Sequence, residues 1–190
     1  LPGGCAIGNR SIDLHLEALK KMGVQIKISK GYVVATRKYS KLNSINHRFS
    51  KISVGATQHI IMASCLAKGT TILKNCAIEP EVIDLVSFLN KCGAKISLNK
   101  RTFKIIGQDN LNLANYDVIP DRIEAGSYIL ATMATQGKLI LKNLIIDHLK
   151  EPIKLFKKMG LKVKKISDNE FEFKCGVINP ISIINTREYP

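Results

Sequence analysis

The sequence has no tryptophan, and aromatic residues make up 6% of it, so any core must be built mainly from isoleucine, leucine and valine. No apolar run reaches the roughly 18–20 residues that a membrane-spanning helix needs. No membrane partner is therefore expected. The N-terminus lacks the basic-then-apolar layout of a secretory signal, and it lacks a methionine. It opens at Leu1-Pro2-Gly3-Gly4-Cys5, and the chain stops at Tyr189-Pro190. Both ends read like protein interior, so a piece of a longer chain is expected. Cysteine is sparse and odd in number: Cys5, Cys65, Cys76, Cys92 and Cys175. No C-x-x-C pair occurs, so neither a zinc site nor a disulfide framework is expected, and a reducing cytoplasm suits the composition.

Acidic residues are also scarce, with 15 Asp and Glu against 29 Lys and Arg, for a net charge of +14. Such a balance collects phosphates, either on nucleic acid or on a small anionic substrate. The lysines are scattered, with short doublets such as Lys20-Lys21 and Lys157-Lys158, and no aromatic-basic interleaving appears. A basic nucleic-acid-binding module remains the alternative from another class; small anionic substrates are the expected partners.

An internal repeat organises what is present. Leu16–Gly23 (LEALKKMG), Val86–Gly93 (VSFLNKCG) and Ile153–Gly160 (IKLFKKMG) share one amphipathic pattern ending in Lys and then Gly. The Lys suits the negative end of a helix, and the Gly suits the left-handed residue that closes it. Alternating strands follow each: 24–28 and 32–34 about a turn at Lys30-Gly31, 94–98 and 102–105 about Asn99-Lys100, and 161–165 and 170–173 about Asp168-Asn169. Between them, Ile60–Asn75 (IIMASCLAKGTTILKN) and Tyr128–Asn143 (YILATMATQGKLILKN) each read as an apolar helix, a Gly stop and a strand. The unit is therefore helix, hairpin, helix, strand, and it recurs from Gly23 to Gly93 to Gly160. This is not βα alternation; it predicts sheets wrapped around a helical core, with the apolar helix at 56–68 buried.

Several segments carry possible chemistry. LPGGCAIG at the start sets Cys5 among glycines, which predicts an exposed loop presenting a thiol, with Arg10 near enough to favour the thiolate. An incidental cysteine in a Gly-rich loop is the plainer alternative. N-R-S-I-D-L leads into the first helix, with Ser11 or Asp13 as a natural N-cap and Arg10 placed for an anion at the helix start. Asp13 and His15 could form an acid/base pair or simply lie on an exposed helix face. Lys51–Thr57 (KISVGAT) reads as a strand running through Ser53 and Gly55 into a helix, a plausible phosphate contact or an ordinary strand-to-helix turn. It lacks the full Walker pattern. Glu79-Pro80-Glu81 starts another helix in the ordinary way. Pro120–Gly126 (PDRIEAG) clusters Asp121 and Arg122 at a junction between repeats, where a cap with a surface ion pair is the alternative to a functional role.

In this order, LPGGC-x-IG-x-R, DLH, SVGAT, EPE-x-x-D and PDRIEAG resemble the UDP-N-acetylglucosamine 1-carboxyvinyltransferase family of enolpyruvyl transferases, across essentially the whole chain. The resemblance implies an α/β fold, an inside-out α/β barrel of repeated helix/hairpin/helix/strand units, here incomplete. It places 1–121 in the Cys-loop-bearing catalytic domain and 122–190 in a second, similarly folded domain. The implied reaction moves the enolpyruvyl group of phosphoenolpyruvate to the 3′-hydroxyl of UDP-N-acetylglucosamine, the first committed step of peptidoglycan synthesis, with no cofactor and no metal. Cys5 would be the general acid or assist product release, and would be the residue that fosfomycin alkylates. An aspartate in its place would keep an acid and evade the drug. Arg10, Ser11, Ile12, Asp13 and Leu14 match the stretch that holds the uridine nucleotide, and Arg10 would also help with the phosphoenolpyruvate phosphate. Lys51, Ile52, Ser53 and Val54 match a second nucleotide-contacting stretch, with His15 and Gly55 beside the two. Asp121 and Arg122 match the PDRIE junction between domains.

Ser11 stands where the family usually has proline. The family's N-terminal Lys-Asn pair and its Asp acting on the sugar hydroxyl have no counterpart in this chain, so the 190 residues alone are expected to be inactive. The nearest alternative is the related transferase acting on shikimate 3-phosphate.

Overall fold

The structure is a computed structural model, and it describes residues 12–184 together with Thr186 and Tyr189. The elements in order are α1 (Asp13–Lys21), β1 (Val24–Ser29), β2 (Tyr32–Arg37), β3 (Asn46–Arg48), α2 (Val54–Ser64), β4 (Thr70–Lys74), α3 (Pro80–Lys91), β5 (Lys95–Asn99), β6 (Thr102–Ile106), α4 (Arg122–Ala134), β7 (Lys138–Leu141), a 3-10 turn (Ile146–Leu149), α5 (Lys150–Lys158), β8 (Lys162–Ser167) and β9 (Glu170–Lys174). They fall into two compact units. The first ends at Asp117 and takes in Tyr189; the second begins at Val118.

In the first unit, α1 buries Leu14, Ala18 and Met22, spaced four apart on one face, and turns Lys20 and Lys21 outward. β1 and β2 form a hairpin, and the larger sheet runs β3-β4-β6-β5. Here β3 lies parallel to β4, and β4 and β5 both run antiparallel to β6. Alternate residues of β4 and β6, Thr71, Leu73, Phe103 and Ile105, are fully buried. They meet Ile60 and Ile61 of α2, with Phe49 and Val82, in one core. The second unit packs α4, α5 and an antiparallel sheet, β7-β9-β8, around Ile129, Met133, Phe156, Phe171 and Phe173. α5 is a sharply amphipathic helix, with Ile153 and Phe156 inside and Lys150, Lys154, Lys157 and Lys158 outside.

The three Gly helix stops are as expected, with Gly23, Gly93 and Gly160 at φ +93°, +97° and +108°. The hairpins also form, with shifts of detail. The second turns one residue later than read, at Lys100-Arg101, because Lys100 takes the left-handed conformation (φ +53°) after Asn99 has paired with Thr102. β8 runs on to Ser167 through a bulge after Lys165. Two readings are corrected. The apolar helix does not persist to 68; it ends at Ser64, and Met62 within it and Leu66 beyond it are exposed. No strand opens Lys51–Thr57: the strand before α2 is β3, which ends at Arg48, and its three residues, Asn-His-Arg, carry no alternation; pairing with β4 creates it. Among the described residues the sheets are open, and no barrel closes.

His47 on β3 is 1% exposed. Lys21 lies 3.1 Å from its Nδ1, so Nδ1 accepts and Nε2 carries the proton. That Nε2 is buried with no partner among the described residues. Burial, helped by the Lys21 charge, holds the His47 pKa below the ordinary 6.5. A folded pKa below the unfolded one stabilises the protein fully above the unfolded value. That stability is lost as pH falls from about 6.5 through the folded pKa. Urea midpoints should therefore drop between pH 7.5 and pH 5. His47→Leu, which removes the buried unpaired N–H as well, should flatten part of the drop; an unchanged slope would count against the assignment.

Candidate functional site

The starts of α1 and α2 come together in the first unit. α1 begins at Ile12, whose carbonyl accepts from the N–H groups of His15 (3.0 Å) and Leu16 (3.1 Å). Ile12 itself is the N-cap, and no side chain caps this helix among the described residues. This corrects the reading of Asp13 as the cap: Asp13 is the first helical residue, favourable there as an acid in the first turn. Ser11, the other cap read from sequence, lies outside the described residues, as do Cys5 and Arg10. The Leu14 side chain is buried in the core. Only its backbone is left for a ligand.

α2 is capped by Ser53, whose Oγ accepts from the Ala56 N–H at 3.3 Å, while the Ser53 carbonyl accepts from Thr57 N–H at 3.0 Å. Val54 opens the helix. Ile52 and Val54 are half-buried against the core, which anchors the turn, and Lys51 just ahead of them is exposed. With Ser53 satisfying one early N–H, the remaining first-turn donors lie at the positive end of the helix, and the exposed Lys51 is two residues ahead of the cap, a combination suited to an anion.

The joint between the two helices is made by histidines. His15 Nδ1 lies 3.0 Å from His59 Nδ1, and the rings are 5.2 Å apart at a 44° tilt. Gly55 completes the fit. A Cβ at that position would lie 3.6 Å from Cε1 and 3.7 Å from Nε2 of His15. Burial, and then His59, lower the His15 pKa. His15 thus makes a bond to His59 through Nδ1, a partner that proximity in sequence does not suggest. His59 was missed in the sequence. The available signal was its position four residues after Gly55, on the same face of α2.

Asp121 and Arg122 belong to the second unit. Asp121 is the N-cap of α4, and its carboxylate accepts from Ile123 N–H (2.7 Å) and Glu124 N–H (3.2 Å). Arg122 is the first residue of the helix and is half-buried. The capping alternative therefore accounts for Asp121 in full.

The described cysteines offer no reactive thiolate site. Cys65, Cys76, Cys92 and Cys175 are all buried and unbridged. Burial pushes the Cys65 thiol up to about 11 and the Cys76 thiol up to about 12. No group of three or more metal-ligating side chains gathers among the described residues. No described helix is long and apolar enough to cross a membrane.

The family model described as EPSP synthase (3-phosphoshikimate 1-carboxyvinyltransferase) matches residues 1–185. Among curated proteins, the chain is 49% identical over 164 residues to a UDP-N-acetylglucosamine 1-carboxyvinyltransferase of Pelagibacter ubique, covering 86% of this chain and 39% of that protein. It is 45% identical over 192 residues to the protein of the same name from Orientia tsutsugamushi strain Ikeda, covering 100% of this chain and 45% of that one. The chain thus spans less than half the length of these relatives. Among solved structures, the fold matches the enolpyruvyl transferase NikO from Streptomyces tendae with a TM-score of 0.74 at 22% identity, over 85% of this chain and 41% of that one. It matches EPSP synthase from Acinetobacter baumannii with a TM-score of 0.66 at 19% identity, over 92% and 42%. With a family-wide sequence match and a shared fold, the chain belongs to the EPSP synthase family of enolpyruvyl transferases.

Proposed function

We propose that this chain is part of an enzyme that transfers the enolpyruvyl group of phosphoenolpyruvate to the 3′-hydroxyl of UDP-N-acetylglucosamine, releasing phosphate, as the first committed step of peptidoglycan synthesis. The observation that carries this reading is the meeting of α1 and α2 at their starts: two motif stretches far apart in sequence converge through His15, Gly55 and His59. The named relatives, at 49% and 45% identity, favour the sugar nucleotide over shikimate 3-phosphate as acceptor.

In the reaction, C3 of phosphoenolpyruvate takes a proton from an acid while the sugar 3′-hydroxyl gives its proton to a base supplied by the rest of the enzyme and its oxygen adds to C2. A base then removes a C3 proton as the C2–O bond to phosphate breaks, forming the enol ether and free phosphate. Cys5 supplies the acid, and Arg10 with the helix starts holds anionic groups. Ile12, Asp13 and Leu14, by backbone at least for Leu14, and Lys51, Ile52, Ser53 and Val54 line the nucleotide. Asp121 and Arg122 mark the passage between the domains 1–121 and 122–190. The cell-wall role, the sensitivity to fosfomycin and a cytoplasmic location follow from the same reading.

The complete enzyme containing this segment should release phosphate only when both substrates are present, and the 190-residue chain alone should not. Phosphate release with shikimate 3-phosphate as acceptor, and none with UDP-N-acetylglucosamine, would overturn the choice of acceptor.

A further inference from the structure

Two imidazole nitrogens 3.0 Å apart make a stable contact only when one carries a hydrogen and the other a lone pair. The pair can hold a single proton beyond its neutral state with that bond intact, as imidazolium donating to imidazole. A second proton would set two N–H groups against each other. Burial and His59 keep His15 below its ordinary pKa, so the free pair has room for a proton at pH 7.5. Charged residues on the surrounding elements are Asp13, Glu17, Lys20 and Lys21 of α1, Lys27 of β1, Lys51 ahead of α2, Glu81, Asp84 and Lys91 of α3, and Lys104 of β6. None of their carboxylates is among the causes that move His15. An anion at the starts of the two helices would favour the protonated pair.

We propose that His59 is a positioning residue for the nucleotide site, that it shares one proton with His15, and that binding of the anionic sugar nucleotide at the starts of α1 and α2 draws this proton from solvent into the pair. The inference rests on the reading of that site under Proposed function. The ligand's diphosphate bridge is fully ionised near neutral pH, so the proton goes to the protein. The bond from His59 sets the orientation of the His15 ring. Gly55 lies beside the His15 ring, and the added charge then ties both helices to the diphosphate.

The test is titration calorimetry of UDP-N-acetylglucosamine into the complete enzyme, in two buffers of different ionisation enthalpy at pH 7.5. It is run beside His59→Asn, which keeps a hydrogen-bonding group but does not titrate, and His59→Leu, which keeps neither. The parent should take up roughly one-half to one proton per nucleotide, and its Kd should weaken by up to about tenfold per pH unit above neutrality. His59→Asn should bind within a few-fold at pH 8 without the uptake; His59→Leu should bind more weakly at every pH. Binding with no uptake in the parent, or with equal uptake in His59→Asn, overturns the proposal. Absence of binding at every pH sinks the nucleotide reading itself. The histidine Cε1–H NMR titrations still decide the pair: His15 should titrate differently in His59→Asn, and an unmoved curve overturns the sharing.

Discussion

Cys5→Ala in the complete enzyme is expected to lower turnover by about 10²–10⁴-fold, the usual contribution of a positioned general acid. Phosphoenolpyruvate is a poor electrophile until C3 is protonated, so loss of the acid acts on the barrier more than on substrate affinity. kcat should fall while KM for the nucleotide holds, because the proposed nucleotide site lies at the starts of α1 and α2 and does not include the acid. No other described cysteine can take over, since all four are buried and the Cys65 and Cys76 thiols titrate at about 11 and 12. Cys5→Asp should retain turnover because a carboxylic acid also delivers a proton. Fosfomycin with the nucleotide present should alkylate the parent at Cys5 and leave Cys5→Asp unmodified by intact-mass measurement. Cys5→Ala within about tenfold of the parent would remove Cys5 from the acid role.

The fold was legible wherever the physics is local. The Lys-then-Gly ends of α1, α3 and α5 announce themselves because a left-handed residue after a helix favours glycine. The hairpins are legible because polar turns separate alternating runs. β3 was not, because its three residues are a strand only by virtue of β4 alongside. The end of α2 was misplaced for a related reason. Cys65, Leu66 and Ala67 are as apolar as the helix before them, so composition gives no stop. The stop comes from Lys68 and Ser44, whose N–H···O bonds tie the segment to the chain ahead of β3.

The site was legible as two motifs but not as a joint. Lys51–Gly55 and Ile12–His15 each suggested an anion at a helix start, yet neither indicates that His15 meets a residue 44 positions away. The one local signal for His59 is its place four residues after Gly55, and in a single sequence a lone histidine on an apolar helix reads as core. Leu14 shows the converse. It falls within a ligand-matching stretch, but its spacing with Ala18 and Met22 commits its side chain to the core.

Gly107→Ala is expected to destabilise the protein by about 3 kcal/mol or more, at the severe end for a single added methyl. Gly107 follows β6, and its N–H donates to Gly69 O at 2.9 Å. A Cβ there would lie 1.7 Å from the Ala67 carbonyl oxygen and 2.8 Å from its carbon. Those are backbone atoms of a buried residue, so no rotamer change relieves the clash. Nor can the segment retreat: Gln108 N–H bonds Cys65 O at 2.8 Å, and Lys68 N–H bonds Leu42 O at 2.7 Å. The strain must therefore open the end of the β4–β6 ladder, where Thr70 pairs with Ile106. Gly176→Ala is the matched control, because a Cβ there meets nothing within 4 Å; it should stay within about 0.5 kcal/mol of the parent. Urea denaturation of the two variants against the parent measures the difference, and equal midpoints would mean that the close approach of β6 to the α2–β4 connection is not part of the fold.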